Sequence, residues 1–300
     1  MTRSGLFVGI TTLDLIYRVE QVPTSNQKIV ALDSVVAAGG PATNAAVTFA
    51  YLSRSDPERG NCTTLLTALG VHPISHLIRA DVESEGVAIA DLVPERASVP
   101  PVSSILVTQA TGERSVVSLN AVKQQVEVEA IPVSIWTAIT HKTFDVVLID
   151  GHQMNVGVAI AQHARANDIP VVVDGGSWKP GFEQVLRSTD YAICSANFYP
   201  PGCTTETDVV AYLKALGIPQ IAITHGEQPI RYSPSLHADL IELPVPPIQA
   251  VDTLGAGDIF HGAFCYYIGR SPFAEALSQA ATVAAQACQH FGTRGWMVEG

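Results

Sequence analysis

The chain has 300 residues, of which 47% are hydrophobic and 15% are charged, and its formal net charge is −11. This composition predicts a well-buried globular protein and excludes a disordered chain. The acidic balance argues against binding to nucleic acid or to an anionic membrane surface. Because the N-terminus carries no signal-peptide pattern and no apolar stretch could span a bilayer, we expect a cytoplasmic protein.

Short apolar runs alternate with Ala-rich helical segments along the chain. The runs that we interpret as buried strands are Leu6–Ile10, Thr64–Ala68, Val146–Ile149, Val171–Val173, Tyr191–Cys194 and Ile221–Thr224. The helical segments between them include Ala42–Leu52, Val156–Asn167 and Val209–Leu216. Such alternation predicts an α/β fold with a mostly parallel central sheet flanked by helices.

Two segments interrupt this alternation. Val19–Val36 has no helical period, and Pro100–Leu119 predicts a hairpin whose strands flank a bend at Thr111-Gly112. The predicted hairpin strands are Ser104–Thr108 and Arg114–Leu119. We expect a single domain over residues 1–300, with a small β lid formed by about residues 15–36 and 100–120. Edge strands of the main sheet are the alternative interpretation.

The C-terminal third predicts two long helices, Asp258–Ile268 and Pro272–Phe291, the first of which follows a glycine-rich turn. The turn reads Asp252-Thr253-Leu254-Gly255-Ala256-Gly257-Asp258. Free backbone N–H groups at a helix start favour an anion, and a carboxylate beside them can accept the proton of a hydroxyl. This pairing is what phosphoryl transfer to an alcohol needs, although a bare Gly-x-Gly-Asp by itself favours a helix cap.

This string closely resembles the second signature of the ribokinase/PfkB carbohydrate kinase family, and the likeness extends over most of the chain. The resemblance implies a ribokinase-like fold, with ATP as the phosphoryl donor and Mg²⁺ as its companion ion. It also implies that Asp258 is the catalytic base. The backbone N–H groups of Gly255, Ala256 and Gly257 would then form an anion hole for the transferred group.

Two N-terminal segments resemble the acceptor-binding part of the same family. Gly9 followed by Asp14 resembles the first strand and its substrate-binding acid, and Gly39-Gly40-Pro41-Ala42-Thr43-Asn44 resembles a Gly-Gly-x-x-x-Asn segment. The resemblance implies an acceptor site made of Asp14, Gly39, Gly40 and Asn44, together with Asp150 at a strand end and Arg114 on the lid hairpin. Carboxylates and amides suit the hydroxyl groups of a polyol.

The nucleotide side is assigned by the same likeness. The turn Thr224-His225-Gly226 resembles a Thr-x-Gly nucleotide-binding turn, and the resemblance adds Ser195, Asp252, Thr253, Gly255 and Gly257 to this side. Many family members carry Asn-x-x-Glu, but the matching stretch from Cys194 to Phe198 has no such glutamate and resembles the ketohexokinase-like branch. The metal ligands are therefore unassigned, and we expect Mg²⁺ to bridge the phosphates mainly through water. A monovalent cation such as K⁺ near the Asp252 loop is a further implication.

The sequence thus predicts an ATP-dependent phosphotransferase that acts on a hydroxyl of a sugar or sugar-like polyol, with a homodimer through the lid as the expected assembly. One alternative is a nucleoside or vitamin-precursor kinase on the same fold, whose acceptor site should carry aromatic surfaces. The polar side chains of Asp14 and Asn44 favour a sugar over this alternative. The other alternative is a non-catalytic sugar- or nucleotide-binding protein, which the missing glutamate favours and the intact Asp258 opposes.

Overall fold

The computed structural model describes residues 4–54, 63–119 and 125–297. A nine-stranded sheet contains β1 (Gly5–Val8), β4 (Thr63–Thr67), β5 (Val87–Asp91), β8 (Val146–Ile149), β9 (Val171–Gly175), β10 (Tyr191–Ser195), β11 (Gln220–His225), β12 (Gln228–Ser233) and β13 (Ile241–Leu243). Its strand order is β13-β12-β11-β10-β9-β8-β1-β4-β5. The strands from β11 to β5 pair in parallel, whereas β12 and β13 are antiparallel additions at one edge.

Helices cover both faces of this sheet. They are α1 (Pro41–Ser53), α2 (Pro73–Ser84), α3 (Val133–Thr140), α4 (Met154–Ala166), α5 (Phe182–Leu186), α6 (Glu206–Ala215), α7 (Ala256–Tyr267) and α8 (Phe273–Ala287). Alternate side chains of β1 face the two helical layers. Phe7 packs in the cluster formed with α1, α7 and α8. Leu6 and Val8 point the other way, into the cluster that contains residues of α3–α6. The predicted α/β class, with a mostly parallel sheet between helices, is confirmed.

The six predicted strands are present, with ends that differ from the predictions by at most two residues. Fully buried parallel strands are continuous apolar runs, and such runs are visible in a sequence. The last predicted helix is wrong at its end. It was expected to reach Phe291, but α8 ends at Ala287, and Gly292 beyond it adopts a left-handed φ of 77°.

A second sheet contains four strands: β2 (Thr12–Val19), β3 (Asp33–Gly39), β6 (Val102–Thr108) and β7 (Arg114–Ser118). Its order is β3-β2-β6-β7, and it shares no strand pairing with the nine-stranded sheet, so these are not edge strands of the main sheet. The predicted hairpin is present as the antiparallel pair β6–β7. The strands lie at residues 12–19 and 33–39 rather than throughout 15–36. That this second sheet acts as a lid stays a prediction.

The inner face of the second sheet rests on the segment that leads into α7. Ile16, Ile105 and Val107 form a small apolar cluster against which Leu254 and Phe291 pack. At the tip of the hairpin, Gly112 has a left-handed φ of 67°, and its carbonyl oxygen accepts hydrogen bonds from the backbone N–H and the hydroxyl of Thr253. The hairpin is therefore tied directly to the glycine-rich turn. Among the described helices, none is both long and apolar enough to cross a membrane.

Candidate active site

The glycine-rich turn ends where α7 begins. Gly255 is the N-cap residue and has a φ of 71°, a left-handed conformation that glycine adopts without strain. The backbone N–H groups of Gly255 and Gly257 have no acceptor among the described residues, whereas that of Ala256 makes a long bond of 3.4 Å to the Thr253 carbonyl oxygen. Gly257 is exposed, and Ala256 and Asp258 are partly exposed, so a ligand could reach the turn. A helix start of this kind is suited to an anion.

Asp258, in the first turn of α7, is held by one side chain from α1. Asn44 Nδ2 donates to Asp258 Oδ2 at 2.8 Å. Burial, and after it the negative charge of Asp174, raises the pKa of Asp258 to about 7, while Asn44, His261 and Arg114 act in the opposite direction. A carboxylate whose pKa lies close to neutral pH is well matched to general base chemistry.

Two further polar groups lie close to Asp258 at the end of β9 and on α7. Asp174 Oδ2 lies 3.6 Å from His261 Nδ1. His261 Nδ1 also lies 2.7 Å from the Gly257 carbonyl oxygen, and its Nε2 lies 3.2 Å from the Ile193 carbonyl oxygen on β10. His261 therefore connects the first turn of α7 to the main sheet. Its position on an apolar helix had indicated only a packing role.

Asp14 lies on the inner face of the second sheet, where it is buried. Thr12 Oγ1 donates to its Oδ1 at 2.6 Å, and Ser103 from β6 also bonds to it. Burial is the largest influence on the pKa of Asp14 and raises it. A Cβ on Gly39 would lie 1.9 Å from Asp14 Oδ2, so glycine at position 39 makes room for this carboxylate. The group that lies closest to Gly39 in this structure is therefore a protein side chain.

Asp150 lies where β8 ends, but its oxygens are already bonded to the backbone. Oδ2 accepts from the N–H groups of Ile10 and Ala42, and Oδ1 accepts from that of His152. These bonds join the ends of two strands to the start of α1. The contacts explain Asp150 as a structural connector, so we leave it out of the acceptor site proposed below. Gly40 similarly meets a backbone group, because its Cβ would lie 2.5 Å from the Ile10 carbonyl oxygen.

The residues predicted to bind nucleotide lie at the carboxyl ends of neighbouring strands. Ser195 and Thr224 are register partners at the ends of β10 and β11, and Gly226 turns the chain between β11 and β12 with a φ of 63°. Ligands of open α/β sheets gather at this edge. Asp174 lies one strand further along the same edge, which connects this group to Asp258.

Asp252 and Arg114 both contact the glycine-rich turn. The buried Asp252 carboxylate accepts from the N–H groups of Leu254 and Gly292, at 2.8 and 2.9 Å. Arg114 Nη1 lies 3.3 Å from the Thr253 carbonyl oxygen and 3.4 Å from its hydroxyl oxygen. Arg114 therefore lies beside the turn, and its contact with the acceptor stays a prediction.

The contacts around Asp258 include one residue that the sequence did not indicate. Arg294 Nη1 donates to Asn44 Oδ1 at 2.9 Å, and Asn44 in turn donates to Asp258. Arg294 is the only lysine or arginine after Arg270, which is the one signal that could have drawn attention to it. Its partner Asn44 lies 250 residues away in sequence, so no local pattern could have paired them.

Comparison with known proteins decides the family. The model of the pfkB family carbohydrate kinases matches residues 3–299. The chain belongs to this family. The matched residues include the glycine-rich turn and Asp258, from which the resemblance to this family was first inferred. The chain is therefore a carbohydrate kinase by family, and the predicted class of enzyme is confirmed.

Relatives of this pfkB protein are distant in sequence but similar in fold. The ribokinase of Bacillus subtilis is 23% identical over 299 residues, which cover 98% of this chain and 96% of the relative. The structure of Arabidopsis thaliana ribokinase complexed with ribose and ATP superposes with a TM-score of 0.74, at 19% identity and with both chains fully covered. An adenosine kinase from Schistosoma mansoni, in complex with 2-fluoroadenosine, has a TM-score of 0.79 at 17% identity, covering 99% of this chain and 97% of that one. These structural likenesses establish the fold.

Proposed function

We propose that this pfkB protein transfers the γ-phosphoryl group of ATP to a hydroxyl of a sugar or sugar-like polyol, with Asp258 as the general base. The observation that carries the proposal is the position of Asp258. Its carboxylate stands at an accessible helix start, has a pKa near 7, and adjoins backbone N–H groups that bond to no described residue. This pairing of a base with anion-stabilising donors is what phosphoryl transfer to an alcohol requires.

In the proposed reaction, the Asp258 carboxylate accepts the proton of the acceptor hydroxyl as the hydroxyl oxygen attacks the γ-phosphorus. The bond from that phosphorus to the bridging oxygen breaks, and ADP leaves with its electron pair. The N–H groups of Gly255 and Gly257 stabilise the charge on the transferred group. Ala256 contributes less, because the Thr253 carbonyl oxygen competes for its N–H.

The acceptor site in this proposal is centred on Asp14. Its neighbours Thr12 and Ser103 are hydroxyl residues, and its carboxylate rests against Gly39, which has no side chain. A carboxylate with such neighbours can accept bonds from two adjacent hydroxyl groups. Asn44 keeps one N–H of its amide for the acceptor. These polar surroundings favour a sugar over a nucleoside base, which would stack on aromatic rings.

The nucleotide would lie along the carboxyl edge of β9–β11, at Ser195, Thr224 and Gly226, with its phosphates at the residue 252–257 turn. ATP in the Arabidopsis ribokinase complex supports this donor. Within the described residues, no group of three or more His, Cys, Asp or Glu side chains could hold a metal ion. Mg²⁺ would therefore enter on the ATP phosphates, whose charge it neutralises. The positive charges of Arg18 and Arg114 already act on the Asp252 carboxylate, where the monovalent cation was expected. The proposal therefore assigns no step to such a cation.

The proposal is tested with a panel of pentoses, hexoses, polyols and nucleosides, each incubated with Mg²⁺ and ATP. Release of ADP reports turnover, and ³¹P NMR identifies the phosphorylated product. A parallel thermal-shift screen with a non-hydrolysable ATP analogue finds acceptors that bind, because a bound ligand raises Tm by mass action. We expect a sugar or polyol to give both signals. Phosphorylation of nucleosides alone, or binding of sugars with no turnover of any compound, would contradict the proposal.

A further inference from the structure

Three consecutive residues after α8 each contact a different part of the candidate active site. We call residues 292–296 the C-terminal clasp. The Gly292 N–H donates to Asp252 Oδ2 at 2.9 Å, and Thr293 Cγ2 lies 2.9 Å from where a Cβ on Gly255 would be. Arg294 Nη1 then donates to Asn44 Oδ1 at 2.9 Å. The clasp therefore contacts both the glycine-rich turn and Asn44, the residue that donates to Asp258.

Arg294 is anchored firmly within this clasp. Its side chain is 14% exposed. Nη2 donates to the Ala38 carbonyl oxygen at 2.9 Å and lies 3.7 Å from Asp81 Oδ2, and Nη1 also donates to Thr293 Oγ1 at 3.0 Å. Burial lowers the pKa of Arg294, and nearby carboxylates, led by Asp81, oppose this effect. A guanidinium in such a site stays charged.

Part of this arrangement costs stability. Arg294 Nε is buried and finds no acceptor among the described residues. A buried donor without a partner is unfavourable, so the Nε–H group lowers the stability that the other bonds of Arg294 contribute. An arrangement of this kind is expected where function, rather than stability, sets the residue.

The chemistry of arginine decides how Asn44 is oriented. A guanidinium has only donors, so the Asn44 oxygen must face Arg294. The Asn44 amide nitrogen is thereby turned towards Asp258, to which it can only donate. A donor that cannot accept favours the ionised carboxylate over the protonated acid. Without Arg294, the Asn44 amide could rotate and present its oxygen to a protonated Asp258.

We propose that Arg294 is a positioning residue of this kinase, which fixes the Asn44 amide so that Asp258 is held as an oriented carboxylate. This inference rests on the function proposed above, but its physical core is a coupling between three side chains. The other charged groups that face Asp258 are Asp174 on β9, His261 on α7 and Arg114 on β7. Substitution at position 294 leaves these three groups in place, so their effect on the pKa of Asp258 is the same in every variant.

The test follows the ionisation of Asp258 directly. Protein labelled with ¹³C at the aspartate carboxyl carbons is titrated by NMR, and the Asp258 signal is assigned by its absence in Asp258→Asn. The variants are Arg294→Lys, Arg294→Met, Asn44→Leu and the double variant Asn44→Leu/Arg294→Met. Arg187→Gln is the control, because Arg187 is an exposed arginine directly after α5 whose carboxylate partner is Glu183. Thermal melts establish that each variant is folded.

We expect Arg294→Lys and Arg294→Met to raise the titration midpoint of Asp258 by about one pH unit, the size of a lost charged hydrogen bond. Lysine keeps the charge but cannot hold Asn44, Thr293 and Ala38 together. Arg187→Gln should titrate as the wild type does. If Arg294→Met does not fold, Arg294→Lys carries the prediction by itself.

The double variant distinguishes action through Asn44 from a direct effect of charge. In the Asn44→Leu background, adding Arg294→Met should shift the midpoint far less than it does in the wild type. A shift of equal size in both backgrounds, or a wild-type midpoint in Arg294→Lys, would overturn the proposal. Once an acceptor is known, the acid limb of kcat should move with the NMR midpoint. Because the titration needs no acceptor, it stays informative even if no sugar is phosphorylated.

Discussion

The substitution Gly255→Ala should lower both the free energy of unfolding and kcat, whereas Gly257→Ala should not destabilise the protein. Alanine at 255 must adopt a φ of 71°, which costs about 1–2 kcal/mol. Its Cβ would also lie 2.9 Å from Thr293 Cγ2, and Thr293 is buried, so relief of this contact adds about 1 kcal/mol. At Gly257, within the first turn of α7, a Cβ meets nothing within 4 Å.

These costs give an expected loss of about 2–3 kcal/mol for Gly255→Ala in urea unfolding. Gly257→Ala should be neutral or stabilise by up to about 1 kcal/mol, because alanine favours a helix. The methyl at 255 also lies near Asn44 Nδ2 and Asp258 Oδ2, at 3.5 and 3.7 Å. Displacement of these groups should lower kcat about 100-fold. Wild-type stability and kcat in Gly255→Ala would refute this account of the turn.

Three further predictions concern the ionisation and support of Asp258. First, kcat/KM should fall tenfold per unit below about pH 7, where the pKa of Asp258 lies, because the base becomes protonated; a flat profile from pH 5 to pH 8 would contradict this. Second, the raised pKa means that the folded state binds this proton more tightly than the unfolded state, whose value is near 3.8, so ionisation of Asp258 costs stability as pH rises through this interval. The Tm advantage of Asp258→Asn over the wild type should therefore grow between pH 5 and pH 8, and an advantage that shrinks would show the sign to be wrong. Third, His261→Leu removes a ring that lies between the Gly257 and Ile193 carbonyl oxygens and, when neutral, donates to one of them. This loss should lower the urea midpoint and reduce kcat, while Phe260→Leu, a neighbouring buried change, should leave kcat less affected.

Much of the scaffold could be predicted because its signals are local. Buried parallel strands such as Val146–Ile149 are unbroken apolar runs, and the start of α7 is marked by two glycines followed by Asp258. The hairpin β6–β7 could be placed because its bend contains Gly112, whose left-handed φ of 67° suits glycine. In contrast, α2 was not among the helices named from the sequence, and only three of its twelve residues are buried.

The sequence proposed members of the candidate site, but it did not indicate the contacts between them. Asp14, Asn44 and Asp258 were expected to meet the substrate, and the structure adds what they bind within the protein. Asn44 and Asp258 are 214 residues apart in sequence, and their bond depends on how α1 packs against α7. Such long-range contacts carry no local pattern, which is also why Arg294 was missed and why the backbone bonds of Asp150 were not foreseen.

The most direct test of the account is the rate of phosphoryl transfer by Asp258→Asn with ATP, Mg²⁺ and an acceptor identified in the sugar panel. Asparagine has nearly the same shape but cannot accept the hydroxyl proton as a carboxylate does. We expect kcat to fall by about 10²–10⁴-fold, while the affinity for a non-hydrolysable ATP analogue stays close to that of the wild type. A variant that transfers phosphate at nearly the wild-type rate would show that Asp258 is not the base.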